Sequence, residues 1–383
     1  MSQPSPGFYS WSRFALRTAA AAVEADIRPS KLIFVVTKRC HSKCVYCDIW
    51  KAKDTPGGLD GELTLDEVRR FAAANPFWHW IDFTGGEPTD RPDFVEVVKT
   101  FAETSPHLLL VHFPTNGIAT KRILSVVSEL RASLRPELVV TVSIDGPPEV
   151  NDRLRGIRND FAHAIATFAG VRRLLGPARA YVGMTLHGHS GAGGVSTPEL
   201  VERTHAAVNT ALAAAGEAPI DWSALHLNIP HFSSHYYGNT ARAEEDGFGG
   251  PAHRAEIAAA LKLAAARSAG QGAFAMRAVE RIYRAEAARY LATGGTSIPC
   301  SALLSTAYLS EKGQVYPCTI WDKPLGNIRE HAFDLMPILR AARADGTRAS
   351  VREGACPRCW TPCEAYPAIG AAPLRSSLAW LKG

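Results

Sequence analysis

Six short apolar runs punctuate the first 230 residues and predict six buried β-strands. Each run is rich in Val, Ile, Leu or aromatic residues, as expected for parallel strands that are covered on both faces. The strands are predicted at 32–37, 79–83, 108–113, 138–144, 181–186 and 225–229. The segments between them have helical spacing, and helices are predicted near 65–75, 92–103, 119–132, 160–175 and 198–214.

Two of these helices have recognisable starts. Thr64 and Glu67 form a capping-box pattern, and Thr197 is predicted as the N-cap that precedes Pro198. Beyond the last strand, the Ala-rich stretch 252–295 is predicted to form two further helices, with a break at "SAGQG".

The alternation of strand and helix predicts an α/β domain with right-handed crossovers and a parallel sheet. A partial barrel and a doubly wound sheet both fit this pattern, and periodicity alone does not separate them. In either architecture, ligands bind at the carboxyl ends of the strands.

Residues capable of chemistry follow four successive strands. Three cysteines come after the first strand, "TGGEP" (84–88) after the second, "PTNG" (114–117) after the third, and "SIDG" (143–146) ends the fourth. The sequence therefore predicts a site at this edge of the sheet.

Composition and charge narrow the class of protein. The chain has 383 residues, 46% hydrophobic and 21% charged, with a net charge of +5 that is spread along its length. It lacks the clustered basic, aromatic-interleaved pattern of a nucleic-acid-binding face. It also lacks an apolar run of about 18 residues or a secretory h-region, so we expect a cytoplasmic protein with reduced thiols and no transmembrane segment.

In such a compartment, grouped cysteines indicate metal ligands rather than disulfides. Cys40, Cys44 and Cys47 have the spacing CxxxCxxC, and the other five cysteines all lie beyond residue 299. Structural zinc needs four protein ligands, and His41 is poorly placed to be the fourth. A 4Fe-4S cluster with three thiolates leaves one iron open. Iron–sulfur is the preferred interpretation, with zinc and incidental core cysteines as alternatives.

CxxxCxxC with Tyr46 before its last cysteine, followed by "TGGEP", resembles the radical S-adenosylmethionine (radical SAM) superfamily over residues 30–240. The resemblance implies a partial (β/α)6 TIM-like barrel in which the open iron binds S-adenosylmethionine. Reductive cleavage would then give methionine and a 5′-deoxyadenosyl radical that abstracts a substrate hydrogen. The resemblance also implies a flavodoxin- or ferredoxin-type reductant.

The resemblance further implies a set of residues that contact S-adenosylmethionine. Glu87 is expected to bind its ammonium group, and glycines are expected to permit close approach of the backbone to a ligand. The full set is Tyr46, Gly85, Gly86, Glu87, Asn116, Ser143, Asp145 and Arg155. Several of these residue types also cap helices or complete turns, which is the alternative interpretation.

The C-terminal cysteines resemble the SPASM and twitch extensions of radical SAM enzymes, which carry auxiliary clusters. A full SPASM set has seven cysteines, whereas this segment has five: Cys300, Cys318, Cys356, Cys359 and Cys363. We therefore expect one auxiliary 4Fe-4S cluster, a second not being excluded. The first four cysteines are the preferred ligands, with Cys363 free or replacing one of them. Structural zinc is the alternative.

The domain map predicted from these patterns has five parts. A helical lead (1–29) precedes the core barrel (30–240), a helical linker (241–295), the auxiliary-cluster domain (296–366) and a tail (367–383). Substrate-contacting candidates cluster at and after the last strand, where imidazole and phenol groups suit acid–base chemistry or hydrogen bonding. They are His226, His231, His235, Tyr236 and Tyr237.

The preferred function is oxidation or rearrangement of a small molecule, such as a sugar, an aminocyclitol or another natural product, with the help of the auxiliary cluster. One alternative is a maturase that cross-links or oxidises a peptide or protein. Another is a non-redox lyase, isomerase or lipid-modifying enzyme in which the outer cluster is structural.

Overall fold

A computed structural model describes residues 28–187, 194–242, 250–268, 274–372 and 375–376. The predicted lead falls almost entirely outside these residues, as do the "SAGQG" break beyond Ser268 and the last seven residues of the tail.

The core is a parallel sheet whose strands follow one another in chain order. The six predicted strands all form, each within two residues of its predicted start. They are β1 (Lys31–Thr37), β2 (Trp80–Gly85), β3 (Leu110–Thr115), β4 (Glu137–Ser143), β5 (Ala180–Thr185) and β6 (Leu225–Asn228). The order β6-β5-β4-β3-β2-β1 never reverses. A doubly wound sheet requires such a reversal, so the curved, open (β/α)6 barrel is the fold.

Helices cover the outer face of this sheet, and all five predicted crossover helices form. The helices of the barrel are α1 (Leu65–Ala74), α2 (Phe94–Thr104), α3 (Thr120–Ser133), α4 (Pro148–Arg155), α5 (Asp160–Leu175) and α6 (Thr197–Ala214). The capping box at Thr64 and Glu67 is present. The predicted N-cap at Thr197 was wrong by one residue, because the Ser196 side chain accepts the hydrogen bond from the Glu199 N–H.

The two faces of the strands differ in chemistry. Leu32, Phe34 and Val36 of β1 pack outward into the large apolar core beneath the helices, whereas Ile33 and Val35 belong to a separate inner cluster. In β3 and β4 the inward positions are only half-buried, while the outward ones are all buried. The inner face therefore surrounds a lumen, the space enclosed by the strands.

The C-terminal part continues the barrel sheet. Beyond α7 (Pro251–Arg267) and α8 (Phe274–Thr293), the strand β7 (Thr306–Leu309) pairs in parallel with β1. Two short antiparallel strands, β8 (Gln314–Tyr316) and β9 (Gly326–Asn327), complete the sheet. Three helices follow: α9 (Met336–Ala344), α10 (Thr347–Glu353) and α11 (Pro362–Ala371).

Helices α8 and α11 connect β6 to β1 through side-chain hydrogen bonds. On the β6 side, the Arg284 guanidinium of α8 donates to the Leu225 carbonyl at 3.0 Å. On the β1 side, the Lys31 ammonium donates to the Cys363 carbonyl of α11 at 2.9 Å. The Tyr366 hydroxyl of α11 joins the two helices by donating to Glu280 at 2.6 Å. No helix in the described ranges is long and apolar enough to cross a membrane.

Candidate active site

The loop that carries Cys40, Cys44 and Cys47 follows β1 and is held from two sides. On one side, the Lys43 and Val45 N–H groups donate to carbonyls at the end of α4, at 3.0 and 2.9 Å. Gly156 ends α4 at φ 66°, and a Cβ there would lie 2.5 Å from the Lys43 carbonyl oxygen. On this side the loop and α4 pack backbone against backbone.

A second segment, residues 231–242 after β6, holds the other side of the loop. The Asn239 amide donates to the Tyr46 carbonyl at 2.9 Å, and the Asp48 N–H donates to the Tyr237 carbonyl at 2.9 Å. The Arg242 guanidinium binds the Asp48 carboxylate at 2.7 Å. The cysteine loop is thus held on both sides by hydrogen bonds and by an ion pair.

The three thiols lie close enough to influence one another electrostatically. Burial is the main cause that raises the pKa of each thiol, to about 12 for Cys40, and the neighbouring Cys44 thiol raises it further for Cys40 and Cys47. In the part of the chain that the structure describes, no three His, Cys, Asp or Glu side chains converge tightly enough to hold a single metal ion. In a 4Fe-4S cluster each thiolate binds a different iron, so its ligands stand farther apart, and the donor set suits that group.

Gly85 and Gly86 bring the end of β2 against the cysteine loop. A Cβ on Gly85 would lie 2.2 Å from the Thr37 carbonyl oxygen, and one on Gly86 would lie 2.2 Å from the Arg39 carbonyl oxygen. Gly85 also has φ 149°, which L-residues rarely adopt. Both glycines therefore permit close approach of the end of β2 to the cysteine loop.

Glu87 is a buried carboxylate that receives several hydrogen bonds. Its oxygens accept from the Asn116 N–H at 2.7 Å, the Thr89 hydroxyl at 2.6 Å and the Thr115 hydroxyl at 3.0 Å. Burial raises the pKa of Glu87, while these donors lower it. Thr89 and Thr115 were not identified from the sequence, although Thr115 lies inside the quoted "PTNG" segment.

Asn116 lies beside the first cysteine of the loop. Its amide nitrogen is 4.0 Å from the Cys40 Sγ, and its side-chain oxygen accepts from the Ile118 N–H at 3.0 Å. Ser143 is the last residue of β4 and is half-buried on the lumen side. Both therefore lie at the carboxyl edge of the sheet.

Tyr46, Asp145 and Arg155 form one buried polar network. The Tyr46 hydroxyl donates to the Asp145 carboxylate at 2.6 Å, and the Arg155 guanidinium donates to both of them, at 3.0 and 3.2 Å. The Thr185 N–H donates to the second Asp145 oxygen at 2.8 Å. Asp160 lies on the other side of Arg155, at 3.9 Å. These three predicted site residues pair with one another and hold the cysteine loop to β4 and α4.

The five substrate-contacting candidates separate into distinct environments. His235 binds the C-terminal part: its Nε2 lies 3.1 Å from the Cys318 carbonyl, and its Nδ1 contacts the Asp322 carboxylate. The Tyr236 hydroxyl is hydrogen-bonded to Thr84 at 2.6 Å. Neither His235 nor Tyr236 offers an unpaired hydrogen-bonding group.

The remaining three candidates are His226, Tyr237 and His231. His226 stacks on Tyr181 with ring centroids 4.3 Å apart, and burial lowers its pKa to about 4. Tyr237 packs against Tyr236 with ring centroids 4.3 Å apart and the ring planes tilted by 46°. Within the described residues, both ring nitrogens of His231 are buried without a hydrogen-bond partner, and burial lowers its pKa to about 3. His231 is thus a neutral imidazole that could still accept or donate a hydrogen bond.

Four of the five C-terminal cysteines line a single cavity of about 330 Å³. They are Cys300, Cys318, Cys356 and Cys359. Burial raises the pKa of Cys359 to about 12. Burial also raises the pKa of Cys300 and of Cys318 well above the ordinary value, and the neighbouring Cys359 thiol raises both further. Cys363 does not line this cavity and instead packs against the inner cluster of the barrel.

One charged group in the lumen was missed by the sequence analysis. The Lys31 ammonium lies 2.7 Å from the Asp82 carboxylate, which also contacts the His112 Nδ1 at 3.1 Å and the Trp80 indole N–H at 2.6 Å. Burial would raise the pKa of Asp82, but Lys31 and His112 hold it well below its ordinary value. The alternation of side chains along β1 and β2 places Lys31 and Asp82 on the lumen face. The sequence analysis did not use this alternation, because both residues lie within apolar runs.

Comparison with known proteins gives a family match over part of the chain. Residues 34–191 match the sequence model of the family described as "Radical SAM superfamily". Mycofactocin maturase MftC of Mycobacterium tuberculosis is 34% identical over 152 residues, which cover 38% of this chain and 37% of that protein. GTP 3′,8-cyclase of Vibrio cholerae is 35% identical over 111 residues, which cover 28% of this chain and 31% of that protein. The matched segments thus span about a third of each relative's length.

The solved structure of native anSMEcpe with bound AdoMet resembles the whole fold. The TM-score is 0.53 at 12% identity, and the match covers 92% of this chain and 100% of that chain. A second structure of anSMEcpe, with bound AdoMet and the Kp18Cys peptide, gives a TM-score of 0.52 at 12% identity, with coverage of 93% and 100%. At this identity the likeness concerns the fold alone.

Proposed function

The chain belongs to the radical SAM superfamily through residues 34–191, and from that premise we propose that it cleaves S-adenosylmethionine reductively and uses the product to abstract a hydrogen atom from a substrate. When bound, a three-thiolate 4Fe-4S cluster and S-adenosylmethionine supply a 5′-deoxyadenosyl radical for this abstraction. The observation that carries the proposal is the fixed loop of Cys40, Cys44 and Cys47 at the carboxyl edge of the barrel. Glu87 and Asn116 lie beside it.

The residues around that loop divide into two roles. Cys40, Cys44 and Cys47 hold three irons. Glu87 and Asn116, with Ser143, contact S-adenosylmethionine: the Glu87 carboxylate suits its ammonium group, since an ion pair would offset the burial of both charges.

The second role is positioning. Tyr46, Asp145 and Arg155 are hydrogen-bonded to one another, and we propose that they keep the loop in place. Within the described residues, the Arg155 Nε has no hydrogen-bond partner. Gly85 and Gly86 act in the same way by allowing β2 to touch the loop. These assignments refine the contacts that the family resemblance implied.

We further propose one auxiliary 4Fe-4S cluster held by Cys300, Cys318, Cys356 and Cys359. Their shared cavity supports this set over any set that includes Cys363. If both clusters form, the anaerobically loaded enzyme should contain about eight irons per chain, and Cys359→Ala should contain about four. About four irons with one zinc in the wild type would instead assign a structural zinc site to these cysteines.

For the substrate we propose a small molecule, such as a sugar, an aminocyclitol or another natural product, that is oxidised or rearranged in the lumen. The half-buried, polar inner positions support this, since the Thr141 hydroxyl and the His226 imidazole can bond to hydroxyl or amino groups. His112 is already bonded to both Asp82 and Thr141. The relative named as a GTP cyclase also acts on a small molecule. The relative named as a maturase favours the second candidate, modification of a peptide or protein.

The test is anaerobic incubation of the loaded enzyme with dithionite and S-adenosylmethionine. We expect 5′-deoxyadenosine and methionine in equal amounts. With deuterated candidate substrates, we expect deuterium in the 5′-deoxyadenosine. A fully loaded enzyme that forms no 5′-deoxyadenosine contradicts the proposal. In the cell, we propose a flavodoxin- or ferredoxin-type reductant and a cytoplasmic location, where the eight free cysteines stay reduced.

A further inference from the structure

Three side chains on neighbouring strands form one hydrogen-bonded chain on the lumen face of the barrel. They are Asp82 on β2, His112 on β3 and Thr141 on β4. Building on the proposed function, we propose that this chain is the proton acceptor for the substrate. The Thr141 oxygen takes a proton from a hydroxyl or ammonium group of the substrate, while the Thr141 proton passes to the His112 imidazole.

The His112 ring is held between two strands by its two nitrogens. Its Nδ1 lies 3.1 Å from Asp82 Oδ1, and its Nε2 lies 2.9 Å from the Thr141 hydroxyl oxygen. Both distances are those of hydrogen bonds. The imidazole thus connects a buried carboxylate on one side with a hydroxyl group on the other.

The charge on Asp82 determines the direction of these hydrogen bonds. The Lys31 ammonium lies 2.7 Å from Asp82 Oδ2. Burial raises the pKa of Asp82, yet Lys31 and His112 together hold it well below its ordinary value. Asp82 is therefore a carboxylate, which only accepts hydrogen bonds, so the His112 Nδ1 carries the proton.

The direction at Thr141 follows from that tautomer. In a neutral imidazole with a proton on Nδ1, Nε2 has none and accepts a hydrogen bond. The Thr141 hydroxyl must then donate to Nε2, and its oxygen keeps acceptor capacity for another donor. A substrate that donates a hydrogen bond to Thr141 therefore enters a chain whose members are already oriented to move a proton away from it.

The end of the chain at Thr141 is the accessible one. The Asp82 side chain is 9% exposed, whereas that of His112 is 24% exposed, and Thr141 is half-buried. Val140 and Val142, the neighbours of Thr141 on the outer face of β4, are completely buried in the core beneath the helices. The exposed part of Thr141 therefore faces the lumen, where the substrate is proposed to bind.

The proton transfer suits the radical chemistry of the proposed function. Removing a hydrogen atom from a carbon that bears a hydroxyl or ammonium group makes the remaining O–H or N–H much more acidic. That bond breaks, its electron pair stays on the substrate, and the proton bonds to the Thr141 oxygen. The Thr141 proton bonds to His112 Nε2, and the imidazolium donates from Nδ1 to Asp82. No electron enters or leaves in this step.

The first test needs no substrate and no cleavage of S-adenosylmethionine. In the loaded enzyme at about pH 8, correlation of imidazole protons with nitrogens by ¹⁵N NMR should show His112 as a neutral imidazole with its proton on Nδ1. Loss of these signals in His112→Gln assigns them. A proton on Nε2 instead of Nδ1 would overturn the proposal, because Nε2 could not then accept the Thr141 proton.

The second test compares Thr141→Val, which keeps the shape of the side chain, with Thr141→Ser, which keeps the hydroxyl. The probes are C-deuterated glucose, glucosamine and scyllo-inosamine in a single turnover. We expect Thr141→Val and His112→Gln to transfer deuterium to 5′-deoxyadenosine but to form product at least about tenfold more slowly than the wild type. Thr141→Ser should restore the rate.

The outcomes separate this proposal from the proposed function. Product formation by Thr141→Val at the wild-type rate would overturn the proton relay. Loss of deuterium transfer in both Thr141→Val and Thr141→Ser would also overturn it, because the side chain would then have a structural role. Failure of the wild type to transfer deuterium from any of the three probes would instead contradict the small-molecule substrate on which the proposal rests.

Discussion

Replacing Arg155 by methionine tests whether the Tyr46–Asp145–Arg155 network holds the cysteine loop. The side chain of Arg155 is 7% exposed, and those of Asp145 and Asp160 are 1% and 0% exposed. Methionine keeps much of the volume of the aliphatic stem but removes the charge. Two carboxylates would then remain buried without their cation.

The geometry sets the size of the effect. At an effective dielectric constant of about 20, a charge pair at the Arg155–Asp145 distance of 3.2 Å is worth about 5 kcal/mol, and the Arg155–Asp160 pair at 3.9 Å about 4 kcal/mol. Desolvation of the charges offsets much of this energy. Removing one partner of a buried pair typically costs about 3–5 kcal/mol, and we expect Arg155→Met to lower the free energy of unfolding by that amount.

Urea unfolding of the iron-free protein, followed by tryptophan fluorescence, measures this loss without a contribution from the clusters. Arg173→Met is the control, because its guanidinium is 58% exposed although it lies only 2.6 Å from Glu217. That variant should lose less than about 1 kcal/mol. Adding Asp145→Asn to Arg155→Met should recover part of the stability, since it removes one of the uncompensated charges. A loss below about 1 kcal/mol in Arg155→Met would refute the reasoning.

Two further predictions concern the contacts of the cysteine loop and of the C-terminal part. Gly86→Ala places a Cβ 2.2 Å from the Arg39 carbonyl oxygen, so it should retain less iron than the wild type after desalting. Equal retention in the variant and the wild type would contradict the packing argument. Arg329 lowers the pKa of Glu67 from 4.5 to about 2, so the stability that this pair contributes is present above pH 4.5 and is lost as the pH falls towards 2. In urea unfolding at pH 7, the free energy of unfolding of the wild type should therefore exceed that of Glu67→Gln by about 1 kcal/mol. This difference should shrink as the pH falls from 4.5 towards 2. A difference that does not change with pH would contradict the assigned ion pair.

The strands and crossover helices could be predicted from the sequence because apolar runs and helical spacing report burial directly. The choice between a barrel and a doubly wound sheet could not, since it depends on strand order rather than on any local pattern. The N-cap before α6 was displaced by one residue because Ser196 and Thr197 carry equivalent hydroxyls. Only backbone geometry decides between such neighbours.

In the site, too, local sequence patterns predict some residues, whereas contacts between distant parts of the chain decide the roles of others. Spacing predicts Cys40, Cys44 and Cys47 as candidate ligands, but it could not predict that Tyr46 and Arg155 would both bond to Asp145. Lys31 was missed because a single charge at the start of an apolar run resembles the edge of a strand. It is buried because the lumen supplies Asp82 as its counter-ion.

The most direct test of the central claim is the amount of 5′-deoxyadenosine that Cys44→Ala forms from S-adenosylmethionine and dithionite under anaerobic conditions. Since Cys44 is buried at the centre of the loop, its loss should remove one ligand of the first cluster and abolish the product, while the C-terminal cavity keeps its metal. Formation of 5′-deoxyadenosine at the wild-type rate by Cys44→Ala would contradict the account.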